Sequence, residues 1–389
     1  MTSGPDAIPE SPAIPSRTLR AGYDVSRLIL GGWQFSPGHH PTTWDLDQVL
    51  ETLVEVADLG VTTFDCADIY DGVEELYGRF LARWRTTSAA WPLRVHTKFV
   101  PDLQALPTLT KADVERVVDR SLRRLGVERL DLVQFYWWDP EVPGFEQTAV
   151  WLSKLREAGK IRHLAGTNLN VERCRALRDA GVELVANQVQ YSVLDRRPER
   201  TLAGYARAED MALLCYGALA GGFLTDRWLG KDEPEGLTLN RSLVKYGLVI
   251  DELGGWAAHR RILSTMRAIA DEHGVDVAAV AVRFVLDQPG VAAVITGASA
   301  ARQVAGTMRA FEAELTEADH ARIREAAGGG FGPPGDVYDL EGDRTGRHGR
   351  IMKYGLQGGR GTSSPRESTT SEGPRPGYGG TDGTGDASG

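Results

Sequence analysis

Cysteine is nearly absent from this chain. Cys66, Cys174 and Cys215 are its three cysteines in 389 residues, too few and too scattered for a disulfide framework or a zinc site. No His/Cys/Asp cluster has ligand spacing, so no metal is expected. No apolar run approaches the ~20 residues needed to span a bilayer, and the polar, proline-rich start from Met1 to Ser16 lacks an apolar signal core. These absences predict a soluble protein of the reducing cytoplasm with no membrane partner. Positive charge is also short: 44 Lys and Arg stand against 53 Asp and Glu, a net charge of -9. With no basic stripe, nucleic acid is not an expected partner. Lysine is scarce within that positive charge, which arginine carries almost wholly. The rest has globular proportions, 42% hydrophobic and 25% charged, enough for one large domain or two ordinary ones.

After a lead over 1–16 expected to be disordered, Arg17 to Val25 reads as a small hairpin turning near Ala21-Gly22. Short apolar runs then alternate with longer amphipathic ones. The strand-like runs are 27–31, 61–65, 93–99, 130–135, 161–166, 184–189, 211–216 and 292–296. Helical patterns cover 46–59, 73–85, 111–125, 146–158, 171–180, 258–273 and 300–313, with an additional one at 276–287. Such alternation implies crossover units and a parallel sheet. Eight strands over about 290 residues favour a closed (β/α)8 barrel. An open doubly wound sheet would usually show a glycine-rich turn straight after its first strand, where this chain has Leu30-Gly31-Gly32-Trp33-Gln34. One formal match to that fingerprint, Gly330 to Gly335, has no strand before it and two prolines inside it, and is discarded.

The barrel domain is assigned to 17–330. Residues 217–257 read as a long insertion after the seventh strand, and loops of that length in a compact domain tend to be functional. Residues 331–356 hold Val337, Tyr338, Leu340, Ile351, Met352 and Tyr354, too many apolar groups for a tail, and read as an extension that packs on the barrel. From Gln357 to Gly389 the chain is mostly Gly, Ser, Thr, Pro and Asp and is expected to be disordered.

Two strands carry anomalies. Lys98 lies inside the apolar run from Arg94 to Val100, where an ammonium must be paired or lose its proton. Asp65 ends the apolar strand from Val61, and Tyr70 follows five residues on. In a parallel barrel the catalytic groups come from the C-terminal strand ends. Those ends here are Trp33, Asp65, Lys98, Tyr136, Thr167-Asn168, Gln188, Tyr216 and Thr296-Gly297. An Asp, a Tyr and a Lys gathered there form a candidate proton-transfer site; a structural ion pair plugging the barrel mouth is the plainer alternative.

The ordered set Asp65-x-Ala67-x-x-Tyr70, Lys98, Ala165-Gly166-Thr167-Asn168, Asn187-Gln188 and Tyr216-Gly217-Ala218-Leu219 resembles the aldo-keto reductases, nicotinamide-dependent (β/α)8 enzymes. The resemblance spans roughly residues 17–316, and 331–356 also looks like a C-terminal extension of some members. It implies hydride transfer between a nicotinamide and an aldehyde, ketone or the corresponding alcohol. The chemistry fits: a carbonyl reduced by hydride needs a proton for its developing alkoxide, and a free phenol with a pKa of ~10 is a poor acid at neutral pH. A neighbouring ammonium lowers that value. Tyr70 is thus the expected acid, tuned by Lys98, with Asp65 holding Lys98 charged.

The resemblance also implies the cofactor contacts. Tyr216 would present a flat face to the nicotinamide, and Thr167, Asn168 and Gln188 would meet its carboxamide. Gly32 and Trp33 lie beside them. The pyrophosphate would lie under Leu219 to Leu224, where Gly221 and Gly222 permit close backbone approach, and Gly217 and Ala218 just before them would also meet the cofactor. The adenosine end would reach Gly297, Ser299 and Arg302. Arginine suits a 2′-phosphate, so NADPH is the expected cofactor; Ser299 stands where the family often has a basic residue, and NADH stays open. Trp33, Trp137, Trp138 and Trp228 suggest an aromatic pocket lining.

One position departs from the family. Tyr136 falls where most members carry a histidine that orients the substrate carbonyl. Three accounts stay open: a neutral donor in a working reductase, a reshaped pocket, or a nicotinamide-binding regulatory subunit with little turnover, like the potassium-channel beta subunits of this family. His96 shares the lumen-facing side of its strand with Lys98 and reads as a packed core histidine one layer deeper. His39 and His40 lie in the loop after the first strand and read as a solvated loop pair, with reach to the pocket as the alternative. The substrate and the oligomeric state are not legible.

Overall fold

The computed structural model describes residues 14–36, 45–87, 91–234 and 241–352. Strands β1 (Ser16–Arg20) and β2 (Tyr23–Ser26) form the expected antiparallel hairpin, turning at Gly22 with a left-handed φ of 71°. Eight parallel strands then close into a barrel: β3 (Leu28–Gly31), β4 (Thr63–Asp65), β5 (Arg94–Phe99), β6 (Leu130–Phe135), β7 (Ile161–Thr167), β8 (Ala186–Gln190), β9 (Ala212–Tyr216) and β10 (Val291–Gly297). Each pairs with its chain neighbour, and β10 returns to β3. Both faces of the strands are covered, which is why they read as continuous apolar runs rather than alternating ones.

The outer layer is helical: α1 (Leu46–Asp58), α2 (Val73–Thr87), α3 (Lys111–Leu125), α4 (Phe145–Glu157), α5 (Val171–Asp179), α6 (Leu202–Ala208), α7 (Arg241–Glu252), α8 (Gly255–Glu272), α9 (Val277–Leu286), α10 (Ala301–Met308) and α11 (Glu317–Ala326). Local chemistry sets several limits. A capping box of Thr110 and Asp113 starts α3, and Gly126, at φ 63°, stops it. Between them Val114, Val118, Ser121 and Leu125 form one buried stripe. Among the described residues no helix is long and apolar enough to cross a membrane.

Three helices of this layer lie outside the expected patterns. α6 is seven residues with Gly204 inside, too short for a period to register. α11 opens on a Thr316/Asp319 capping box, a start signal legible in the sequence. α7 lies in the segment read as a long insertion with no helix assigned; Leu243, Tyr246, Val249 and Ile250 recur at helical spacing there, interrupted by Gly247. The pattern at 300–313 ends early, as α10 gives way to a 3-10 turn at Arg309–Phe311.

The hairpin closes the bottom of the barrel. Leu19, Tyr23 and Val25 pack with Ile29, Leu132, Ala165, Ala186, Leu214 and Ala293 from the strands, forming an inner core separate from the larger one between barrel and helices. With that end filled, the C-terminal strand ends are left to build a site.

Residues 331–352 fold against the same chain, with short helices α12 (Asp339–Gly342) and α13 (Arg347–Arg350). The Arg196 amide donates to the Phe331 carbonyl at 2.8 Å. Arg197 is buried between Asp195, at 2.7 Å, and Glu341, at 2.9 Å. Further ion pairs join Arg344 to Asp139 at 2.8 Å and Arg347 to Asp251, and a hydrogen bond of 3.3 Å joins His348 to Glu252. The sequences 1–13 and 353–389, which include most of the lead and the whole tail, and His39 and His40 lie outside the described residues.

Candidate active site

The barrel register carries the two anomalous strands to one place. Asp65 is level with Gly31 on one side and His96 on the other, and Lys98 is level with Gln134. The Lys98 Nζ donates to Asp65 Oδ2 at 2.5 Å and to the Cys66 carbonyl at 2.8 Å. Both side chains are nearly inaccessible, 5% and 6% exposed. Two amides complete the carboxylate: Gln134 Nε2 donates to Asp65 Oδ1 at 2.6 Å and Gln188 Nε2 at 2.7 Å. A charge this deep survives only when its lone pairs are filled. Burial opposes the Lys98 ammonium, and the facing Asp65 carboxylate together with Tyr70 and Cys66 outweighs it, so the lysine stays charged well into the basic range.

Tyr70 stands over this pair, in the turn between β4 and α2. The Lys98 Nζ is 5.4 Å from the centre of its ring, and Trp33 meets the ring edge-on at 4.9 Å. Burial pushes the Tyr70 phenol up, and the pull of Lys98 in the other direction is smaller. The expected lowering by the ammonium is therefore present as a component and not as the net result, because desolvation of the phenolate is the larger effect. The phenol holds its proton at neutral pH.

The remaining expected residues spread around the same rim. Thr167 ends β7, and its buried Oγ1 has no hydrogen-bond partner among the described residues. Asn168 follows with a left-handed φ of 56° and accepts from the Tyr216 hydroxyl at 3.0 Å. Asn187 is a brace: its side-chain amide holds the Leu169 backbone. Gln188 is committed to Asp65 in this structure. Tyr216 ends β9, half-buried, and two tight turns follow: the Ala220 amide donates to Gly217 and the Gly222 amide to Leu219, each at 2.8 Å. A Cβ on Gly217 would collide with the Tyr246 hydroxyl, and one on Gly221 would come within 2.9 Å of the Tyr246 ring. Ala218 is buried and Leu219 half-buried beside them.

Gly32 is packed rather than open: its amide donates to the Asp65 carbonyl at 2.6 Å, and a Cβ would meet Val73 at 2.8 Å. Gly297 abuts the Gln34 amide, whose Oε1 is buried without a partner. The Ser299 amide donates to Gln303 Oε1 at 2.8 Å, and Arg302 lies exposed on the first turn of α10.

Tyr136 is 6% exposed, just past β6. Its ring meets Trp138 edge-on at 4.7 Å and Tyr338 at 6.0 Å, and the two phenols are hydrogen-bonded. Tyr338 holds a left-handed φ of 66°, uncommon for so bulky a residue. Two of the four tryptophans do not line a pocket. Trp137 is 1% exposed and packs on Phe135 and Phe145, and Trp228 packs on Phe223 and Trp256. His96 is fully buried against the Tyr23 hydroxyl at 3.0 Å, and burial lowers its pKa to about 4, so it is neutral packing beneath the site. Among the described residues no three His, Cys, Asp or Glu side chains gather closely enough to hold a metal ion.

Sequence reading missed Gln134, Lys245, Tyr246 and Tyr338. Gln134 left a usable signal, a lone amide in the apolar run from Leu132 to Phe135. The others reach the rim through long-range folding.

The chain matches the model of the Aldo/keto reductase family over residues 27–327. It is 29% identical to the aldo-keto reductase YhdN of Bacillus subtilis over 71% of this chain and 82% of that protein. It is 26% identical to an NADH-specific methylglyoxal reductase of Escherichia coli over 78% of this chain and 95% of the relative. The solved structure of the glycerol dehydrogenase AKR11B4 from Gluconobacter oxydans superposes with a TM-score of 0.68 at 27% identity, covering 83% of this chain and 96% of that one. With a closed eight-stranded barrel, a buried Asp–Lys pair at its rim and a family match across nearly the whole barrel, this chain belongs to the aldo/keto reductase family of oxidoreductases.

Proposed function

We propose that the protein reduces a small aldehyde or ketone, or oxidises the corresponding alcohol, with a nicotinamide cofactor and Tyr70 as the proton donor. The observation that carries the reading is the buried Asp65–Lys98 pair with Lys98 5.4 Å from the Tyr70 ring. The rim residues fit a nicotinamide. Thr167 offers an unpartnered hydroxyl, Tyr216 a flat aromatic face, and the glycine turn after β9 unhindered backbone at Gly222, where a Cβ would meet nothing within 4 Å. When bound, the cofactor supplies or accepts the hydride.

The chain's own residues do the rest. Tyr70 keeps its proton at neutral pH and gives it up as negative charge grows on the substrate oxygen. Lys98 offsets the charge left on the phenolate, and Asp65, fixed by Gln134 and Gln188, keeps Lys98 charged and aimed. Tyr136, anchored by Tyr338 and Trp138, is the neutral donor in the place of the family's histidine. NADPH is the proposed form, on the strength of Arg302 beside the adenosine end; one relative is NADH-specific by name. Nothing in the fold or the relatives described favours a subunit that binds cofactor without turnover.

The test is Tyr70→Phe, which deletes only the transferable proton. General acid catalysis is worth ~10²–10⁴-fold, so aldehyde reduction falls at least that far while NADPH affinity, read by fluorescence titration, is kept. Near-normal turnover by the variant removes Tyr70 from the mechanism.

A further inference from the structure

Only seven lysines occur in the chain, and two of them point at tyrosines of this rim. Lys98 is accounted for above. The second is Lys245, on α7, in the segment after β9. Its Nζ lies 4.8 Å from the centre of the Tyr216 ring, 3.5 Å from the Tyr216 hydroxyl and 5.6 Å from the centre of the Tyr246 ring. No carboxylate stands within ion-pair distance of it among the described residues. Burial depresses its ammonium, and the more distant Glu341 supports it.

The charges around Tyr216 can be counted. Asp195, Arg197 and Glu341 form a buried triad under the C-terminal segment, two carboxylates on one guanidinium. That triad carries one net negative charge. Lys245 cancels it, and Lys245 is the member in direct contact with the tyrosine.

This matters for a redox cofactor because its two forms differ in charge at one place. The reduced ring is neutral, and loss of a hydride leaves it a cation; the phosphates are the same in both. A cation laid near Tyr216 would meet an ammonium already there, whereas without Lys245 it would meet the uncompensated negative triad.

We propose that Lys245 biases this site toward the reduced form of the nicotinamide, by placing a positive charge beside the ring that Tyr216 supports. The proposal rests on the reading of Tyr216 as the nicotinamide's partner. Like unit charges about 8 Å apart, at an effective dielectric of about 20–40, change an equilibrium constant by roughly five- to thirtyfold.

The experiment measures dissociation constants for NADPH and NADP+, and for NADH and NAD+, by quenching of tryptophan fluorescence, on the full-length protein and on Lys245→Met and Lys245→Arg. The ratio of the oxidised to the reduced constant drops about tenfold in Lys245→Met and stays near the parent value in Lys245→Arg. A tenfold drop lowers the potential of the bound couple by about 30 mV, the two-electron equivalent, which a mediated redox titration reads. If both forms weaken equally in Lys245→Met, the ammonium serves the phosphates and the proposal is overturned. It is equally overturned if neither constant moves, or if Lys245→Arg loses the ratio as fully as Lys245→Met. If the parent protein binds neither form, the nicotinamide reading itself fails, a result distinct from all of these.

Discussion

The Asp65–Lys98 pair gives a prediction whose sign as well as size follows from the structure. Asp65→Asn keeps the shape of the side chain and removes its charge. In the parent, the Asp65 carboxylate accepts from Lys98 at 2.5 Å, Gln134 at 2.6 Å and Gln188 at 2.7 Å, in a site with almost no solvent access. Removing one partner of a buried ion pair leaves the other charge uncompensated and costs about 3–5 kcal/mol. The pH dependence then inverts. In the parent, burial lowers the pKa of Lys98 but Asp65, with smaller support from Tyr70 and Cys66, more than offsets it, so the folded value lies above the ordinary one. Such a group stabilises the fold fully below the unfolded pKa of ~10.4, and that stability is lost as pH rises through the higher folded value. In Asp65→Asn burial loses its main opponent, leaving only the weaker support of Tyr70 and Cys66, and the folded pKa falls below the unfolded one. The penalty is then complete below the lowered pKa and fades as pH rises toward ~10.4. Urea unfolding at pH 7 and pH 9.5 separates the cases. The parent shows little change from this group, whereas the variant is much weaker at pH 7 and recovers part of the loss at pH 9.5. A variant within about 1 kcal/mol of the parent at pH 7, a difference ordinary for a surface substitution, and with an unchanged pH slope, would refute the argument that Asp65 is what keeps Lys98 charged.

Two further outcomes are expected. Tyr136→Phe keeps the ring and deletes the donor, so turnover falls while NADPH affinity holds, with a loss of up to ~3–4 kcal/mol by analogy with an oxyanion-hole donor; full rate on every substrate tested would leave the donor role without support. Truncation at Gln357 leaves the melting temperature and kinetics unchanged. Truncation at Gly330 removes Glu341 from buried Arg197 and Tyr338 from Tyr136, so it lowers the melting temperature and shifts KM; identical behaviour of the two shortened proteins would count against a C-terminal cover on the site.

What the sequence determined by itself was periodic or locally improbable. Eight apolar runs separated by amphipathic ones are a repeating pattern, and the strands they predicted match the barrel to within a few residues. Asp65 and Lys98 were legible because charge inside an apolar strand is costly, and the residues that break that rule are few. The hairpin at Ala21-Gly22 and the stop of α3 at Gly126 were set by glycine's access to positive φ. Tertiary structure decided the rest. Gln134 and Gln188 converge on one carboxylate oxygen only because the register of β6 and β8 brings them there. Tyr70 illustrates the limit most directly: its nearness to an ammonium predicted a lowered pKa, and burial, which depends on every element packed around it, reversed the net direction. Lys245 and Tyr338 lay in segments that length and apolar content marked out, 217–257 and 331–356, but local pattern did not say which of their residues meet the site. They arrive at the rim because α7 and the C-terminal segment fold back over it, joined through Arg197, Glu341, Arg347 and Asp251. Contacts between residues tens to hundreds of positions apart leave no trace in local spacing, since the free energy that selects them exists only once the barrel has closed.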